Sequence, residues 1–309
     1  MLDVRRLRLL TELSHRGTIA AVAKAVGYTP SAVSQSLARL EGEAGMALLE
    51  RDGRTVRLTP AARTLVARAE RILAELDAAE AELAAAHGAV RGVVVIGAFP
   101  SAGARLVVPA VHALAMQHPD LVIAVREHEP EEGIPLLRAG ELDLVVSEYY
   151  DDVTPTAAGG LERHVLLTEP LLLMLPAAET APEPVDLRTL SDARWIGGLA
   201  GTQYAAAVER ACRAAGFAPR IEHRADEASL LIALAAAGLG VGLLPALAGV
   251  PQPGLRYAHA RPDPPRRHVA VFVRRGAAAR PALAVTLEAL KSQKPLPSDA
   301  AYGSPLRSP

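Results

Sequence analysis

Four short side chains, those of Ser31, Ser34, Gln35 and Ala38, fall on one side of a helix-patterned stretch when successive residues are set 100° apart. Val33, Leu37 and Leu40 fall on the opposite side. An aliphatic stripe therefore packs inward while hydroxyl, amide and methyl groups face out. That outward chemistry suits base edges in a duplex groove. An amide pairs with adenine, a hydroxyl donates or accepts at several edges, and a methyl touches thymine. Thr29 takes the N-cap position and Pro30 the first helical position, which turns free N–H groups and the positive helix end toward phosphate. Arg39 extends the same face as a cation. An ordinary helical hairpin with a solvated polar face carries the same pattern, and the spacing alone leaves both open.

The elements that must hold this face are legible on either side. Thr18 caps a preceding helix that runs to about Val26, and Gly27 stops it. The pair makes a helix-turn-helix pattern. The following "LLERDGRTVRLTP" predicts a hairpin, because Asp52-Gly53 favours a tight turn and Val56 and Leu58 alternate inward. Arg51 and Arg54 flank its tip, so it is either a basic wing suited to a narrow minor groove or a solvated surface turn. Thr59-Pro60 then restarts a helix. In it Leu65, Ala69, Ile72, Leu76, Ala79 and Leu83 recur at alternating intervals of four and three. That is a heptad seam, and the expectation is pairing with a second copy, which would supply two reading heads for a two-fold-symmetric duplex.

Bulk composition narrows the field. The chain has 309 residues, half of them hydrophobic, and a formal net charge of −1, which fits several folded domains and neither a basic coat nor an acidic disordered chain. Residues 1–68 carry 11 Lys+Arg against 6 Asp+Glu, so the basic character is concentrated at the head. One cysteine, Cys212, excludes an internal disulfide and fits a reducing cytosol, where it reads as an apolar filler. The start lacks a signal-peptide pattern. The uncharged run from Leu230 to Val250 holds Gly238, Gly240, Gly242 and Pro245, and reads as a buried helix followed by a buried strand "VGLL" rather than a membrane span. No membrane partner is expected.

From Val93 onward, strands such as "VVVIG", "LVIAVREHE", "LDLVVSE", "LLLMLP", "RIEHR" and "HVAVFVR" alternate with helical stretches. This predicts parallel sheets covered by helices. The last residues are rich in Pro and Ser, and disorder is expected over 293–309.

The N-terminal residues "AAVAKAVGYTPSAVSQSLARLEGEAGMALLERDGRTVRLTPAA" resemble the LysR-type transcriptional regulators densely over residues 1–64. "GELDLVV" and "GLGVGLLP" extend the likeness to about residue 292. Ile19 and Leu49 stand where the family often has Phe, and Ala61-Ala62 where it often has Ala-Gly, as core exchanges that keep the fold. The resemblance implies a fold that is α/β overall. An N-terminal all-α winged helix-turn-helix (1–59) and a long dimerisation linker helix (60–90) come first. Two Rossmann-like, periplasmic-binding-protein-like α/β subdomains follow over 91–292, the first from about 91–162 with 265–292 and the second from about 163–264. It implies a cytoplasmic DNA-binding regulator that binds double-stranded DNA at a dyad-symmetric operator. It further implies a small-molecule effector between the subdomains, homodimers that assemble as dimers of dimers (homotetramers), RNA polymerase as a further partner, no cofactor and no catalytic or metal residues.

Ligands favour the carboxyl ends of parallel strands. The loop "GAFPSAG" follows the first such strand and supplies Phe99, Pro100 and Ser101, with Ser101 read either as a helix N-cap or as a ligand contact. His128 and Glu148 end the next strands, and each is read as effector-facing or merely solvated. "GGLAGTQY" adds Gly201 and Thr202, with Thr202 as a helix cap. The acidic lining points weakly to an amine-bearing effector.

Rival classes find no motif. There is no Walker A loop, no G-x-S-x-G elbow and no G-x-G-x-x-G opening a helix after the first strand. The nine histidines form no metal-ligand spacing. Without an export signal, and with the head attached, the chain does not read as a solute-binding protein. Ten aromatic residues leave little for stacking on single-stranded RNA.

Overall fold

The head is built from three helices, α1 (Val4–Arg16), α2 (Ile19–Val26) and α3 (Pro30–Ala44), around Leu7, Leu10, Val22, Val33, Leu37 and Leu40. The computed structural model describes residues 1–52, 55–86, 90–151, 160–179 and 182–293. Helix α1 was not expected from the sequence; Asp3 caps it by accepting from the Arg6 N–H at 3.0 Å. Thr18 and Thr29 cap α2 and α3, each hydroxyl accepting from the N–H three residues on at 3.2 Å. Helix α3 ends at Gly45, whose φ of 66° is left-handed and favours glycine.

Beyond that turn, β1 (Leu49–Asp52) pairs antiparallel with β2 (Thr55–Leu58), as a wing requires. The carboxylate of Glu41 fixes the wing to α3: its Oε1 accepts from the N–H groups of Leu48 at 2.8 Å and Leu49 at 2.9 Å. Hydrogen bonds to a charged acceptor contribute about 1.5–3 kcal/mol. Glu41→Ala is therefore expected to destabilise the head by about that amount, read as a lower urea midpoint of its unfolding. An unchanged midpoint would show that the wing is held some other way.

Helix α4 (Pro60–Ala86) has 27 residues and is about 40 Å long at 1.5 Å per residue. Its first turns belong to the head. Ala62, Val66 and Ala69 are buried in the head core and Leu65 packs against it. This corrects the expected seam: Leu65 and Ala69 share the heptad positions but pack against their own chain. Beyond them Ile72, Leu76, Ala79 and Leu83 form an exposed stripe.

A five-stranded sheet follows, from β3 (Gly92–Ala98), β4 (Leu121–Glu127), β5 (Leu144–Tyr150), β6 (Leu161–Glu169) and a late strand placed below. Strand β3 leads into α5 (Pro100–Ala102), which continues through a wide turn, Gly103–Val107, into α6 (Val108–Gln117). Pro109 in α6 has no N–H to return to the preceding turn, which suits the wide turn there. Helix α7 (Pro130–Ala139) links β4 to β5. Along β5, Leu144 and Val146 face the core under α6, while Val145 faces the core under α7. Both faces are covered, which is why β5 reads as a continuous apolar run.

The second subdomain begins with β7 (Leu171–Pro176) and β8 (Val185–Asp186), then β9 (Arg194–Gly197), α8 (Gln203–Ala214), β10 (Arg220–Arg224), α9 (Ala228–Ala236), β11 (Gly242–Pro245), β12 (Leu255–Ala258) and β13 (Ala260–Arg261). The chain returns with β14 (Arg267–Arg274), the late strand of the first sheet, and closes with α10 (Pro281–Lys291). In the first sheet β3 lies parallel to β4 and β5, but β14 runs antiparallel to β5 and β6. In the second subdomain β9 and β10 form a parallel pair, and β7 lies between β11 and β12 in a separate, antiparallel three-stranded sheet. The first sheet is thus mixed where a parallel sheet was expected, because the chain enters β14 from the other subdomain instead of returning through a helix. Strand β6 pairs with β14 over its length, so residues 163–169, expected in the second subdomain, stand in the first sheet. The run from Leu230 to Val250 forms the end of α9 and β11, and among the described residues no helix is long and apolar enough to cross a membrane. The expected disordered tail lies outside the described residues apart from Gln293.

An ion pair bridges head and effector region where α1 packs against α7. Arg16, at the end of α1, donates to Glu12 at 2.8 Å and to Glu141 just past α7. Burial pushes the Glu12 carboxyl above the usual carboxylate range, although Arg16 draws it back.

Candidate functional site

On α3 the amphipathic division is complete. Val33, Leu37 and Leu40 are 0–1% exposed, while Ser31, Ser34, Gln35, Ala38 and Arg39 are exposed. Thr29 and Pro30 are exposed at the same helix end. The sequence reading passed over Tyr28, 55% exposed in the turn just before the cap, where only its place beside Thr29 could have marked it. The side chain of Arg51 and the whole of Arg54 lie outside the described residues. A short amide at the centre of the exposed face gives one test. Gln35→Ala is expected to flatten base preference at one position per half-site, by about 1–3 kcal/mol, with the salt dependence of binding unchanged. Selection profiles of the two proteins compare this; identical profiles would remove Gln35 from the reading face.

The second site is a cavity of about 390 Å³ between the two α/β subdomains. From the first come Phe99, Pro100 and Ser101 after β3, Glu129 to Glu132 around the start of α7, and Glu148 and Tyr150 on β5. From the second come Ala200 to Tyr204 around the start of α8, Asp226 to Ala228 around the start of α9, and Leu244 and Pro245 ending β11. These are strand carboxyl ends, as a ligand site in such sheets requires. The expected Phe99, Pro100, Ser101, Glu148, Gly201 and Thr202 all line it. His128 does not; its ring nitrogen faces Glu132 at 3.5 Å.

Thr202 caps α8, its hydroxyl accepting from the Ala205 N–H at 3.2 Å and donating to the Leu199 carbonyl at 2.9 Å. Ser101 is no N-cap, since Phe99 holds that position without a side-chain bond. Its hydroxyl instead lies 3.4 Å from Arg267 Nη2. Gly198 permits the tight loop before α8: a Cβ there would lie 2.7 Å from the Tyr204 ring and 2.9 Å from the Ala205 nitrogen.

Arg267, on β14, is the residue the sequence did not reveal. It is 3% exposed and lines the cavity. Nη1 lies 2.7 Å from Glu148, Nη2 lies 2.6 Å from Glu169, and the guanidinium sits 5.1 Å from the Phe99 ring centre. Burial alone would lower its pKa, but the two carboxylates outweigh that and hold it above its ordinary value. Tyr150 donates to Glu148 at 3.0 Å, and burial followed by that carboxylate pushes its phenol well up. Glu129 is exposed as a whole residue, yet desolvation at the cleft and repulsion from Glu148, Asp226, Glu131 and Glu227 push its carboxyl up to about 7.

Comparison with known proteins matches both regions of the chain. Residues 4–63 match the bacterial regulatory helix-turn-helix protein, lysR family, and residues 87–295 match the LysR substrate binding domain. The chain is similar to the transcriptional dual regulator GltC of Bacillus subtilis (strain 168), at 25% identity over 249 residues, 79% of this chain and 81% of GltC. It is also similar to a probable hydrogen peroxide-inducible genes activator of Streptomyces viridosporus, 29% identical over 286 residues and 89% of each chain. Its fold is like that of a full-length OxyR variant from Pseudomonas aeruginosa, with a TM-score of 0.67 at 22% identity over 95% of this chain and 96% of that one. With one family match on the head and the other over most of the remainder, the chain belongs to the LysR family and is a DNA-binding transcriptional regulator with an effector-binding domain.

Proposed function

We propose that this regulator reads a dyad-symmetric operator in the cytoplasm through α3 of two paired heads, and that an effector in the cleft changes how those heads are held. The reading is carried by the exposed Ser31–Ser34–Gln35 face set on a fully buried aliphatic stripe. Arg39, Arg51 and Arg54 add phosphate or minor-groove contacts. Pairing runs along Ile72, Leu76, Ala79 and Leu83. A second apolar face supports assembly as a dimer of dimers: edge strand β4 exposes Val122 and Val125, and neighbouring α6 exposes Val108 and Met116.

Helix α7 supports a route between the sites. Its first turn lines the cleft and its last turn meets α1 next to the Arg16–Glu141 pair. A shift of α7 on effector binding would reach the head within the same chain. The action is regulatory rather than catalytic, at promoters where RNA polymerase is the further partner. The peroxide response in the name of the Streptomyces relative finds no support here. The chain's single cysteine, Cys212, is fully buried, and burial with Glu209 close by pushes its thiol up to about 12.

The test is selection of bound duplexes from a random pool by the purified chain, followed by affinity for the winner with and without small molecules. A dyad-symmetric winner whose affinity responds to a cleft ligand is the expected result. An asymmetric winner, or no enrichment at moderate salt with any ligand, would overturn the proposal.

A further inference from the structure

The charges around the cleft are one-sided. Six lining residues carry carboxylates: Glu129, Glu131, Glu132, Glu148, Asp226 and Glu227. Among the described residues Arg267 is the one lining guanidinium, and it is already held by Glu148 and by Glu169 behind it. An anion entering the cleft would compete with two carboxylates for Arg267 and meet the others unshielded. Among the described residues, the carboxylates of Glu129 and Glu227 have no hydrogen-bond or ion-pair partner. Asp226 uses one oxygen on the Leu199 N–H at 2.9 Å. The side-chain oxygen of Gln203 is buried at the same lining and also lacks a donor. The walls between these acceptors are apolar: Phe99, Tyr204, Leu231, Leu244 and Pro245.

Building on the reading of this cleft as the effector site, we propose that it takes a small organic cation, an ammonium or guanidinium group on an apolar body. The cationic group lies between Glu129 of the first subdomain and Asp226 and Glu227 of the second. The body rests on the aromatic and aliphatic walls, and Gln203 accepts from an N–H. Unsatisfied carboxylates on both lips repel one another when the cleft is empty. A cation between them reverses that repulsion and draws the subdomains together, so ligand charge and closure are one event.

The charge state of Glu129 gives the ligand response a pH signature. The groups facing it are Glu148 on β5, Arg267 on β14, Tyr204 on α8, Asp226 and Glu227 before α9, and His128, Glu131 and Glu132 on its own segment. With a carboxyl at about 7, Glu129 is mostly protonated at pH 6 and mostly ionised at pH 8. A bound cation favours the ionised form, so binding releases a proton and tightens as pH rises, by about tenfold between pH 6 and pH 8.

The experiment is calorimetric titration and thermal shift of the full chain against a panel of primary amines, diamines, guanidines and quaternary ammonium salts. Anionic and neutral compounds of matched size, and Mg²⁺, complete the panel. Ala200→Trp, which fills the cleft from its exposed loop, reports whether a hit binds there. The expected result is an organic cation that binds the parent chain and not Ala200→Trp, about tenfold tighter at pH 8 than at pH 6. Glu129→Gln should abolish that pH dependence, and Asp226→Asn should weaken binding without abolishing it. Cleft binding by an anion or neutral compound, unaffected by Glu129→Gln, would overturn the cation assignment and leave the effector cleft standing. Binding of Mg²⁺ alone would replace the organic cation by a metal ion and overturn it equally. If no compound distinguishes the parent from Ala200→Trp, the cleft reading fails together with the cation.

Discussion

Replacing Arg267 by Ala is expected to destabilise the effector-binding region by about 3–5 kcal/mol, the usual effect of removing one partner from a buried ion pair. The reason lies in what remains. Glu148 and Glu169 each approach the guanidinium to within 2.7 Å, and their side chains are 11% and 8% exposed. Glu169 also accepts from the Leu247 N–H, and Glu148 from the Tyr150 hydroxyl. Those bonds hold both carboxylates in place once the cation has gone. Thermal unfolding of the variant and the parent at pH 8 measures the deficit. Arg267→Met combined with Glu148→Gln and Glu169→Gln removes every charge of the cluster and should recover most of the loss. A single Arg267→Ala as stable as the parent at pH 8 would show that the cluster is not the clamp its geometry describes.

The same residue marks where sequence reading stops. Glu148 and Arg267 are 119 residues apart, and what joins them is the antiparallel register of β14 on β5 and β6. No local period carries that information. The loops after strands were legible, because a glycine-rich turn, a capping hydroxyl and a helix start occur together within a few residues. Thr202 was found in this way, and of the two readings of Ser101, helix N-cap or ligand contact, the structure removes the first. Strand β6 escaped because its apolar run is only Val165 to Leu167, set between Glu162–His164 and Thr168–Glu169, and it exposes Val165, so it lacks the longer apolar run of the covered strands. Tyr28 stands in the turn between α2 and α3, so neither helical period marks it.

Helix α4 shows a subtler failure. Its spacing of fours and threes is continuous from Leu65 to Leu83, but the environment changes partway along. Ala69 is fully buried against the head, whereas Ile72 is 43% exposed. Periodicity reports which side of a helix is apolar and not what that side meets. The boundary between the two regimes yields the last prediction. Ala69→Asp places a charge in the head core and should unfold the head. Leu76→Asp, two turns further on, should leave the head folded and break the proposed pairing of two copies. Light scattering should then report a smaller assembly, with the far-ultraviolet circular dichroism of the parent.

The consequence for DNA is large. Two linked heads make the second contact intramolecular, so losing the link lowers operator affinity by about 10²- to 10⁴-fold. The slope of binding against salt should fall by about half, because a single head displaces half the counterions. These two readouts separate loss of pairing from loss of the reading face, since a damaged α3 would change base preference while two heads still bound together. An unaltered assembly for both Leu76→Asp and Leu83→Asp would exclude the α4 stripe as the pairing surface and leave β4 and α6 as the remaining apolar face on which two copies meet.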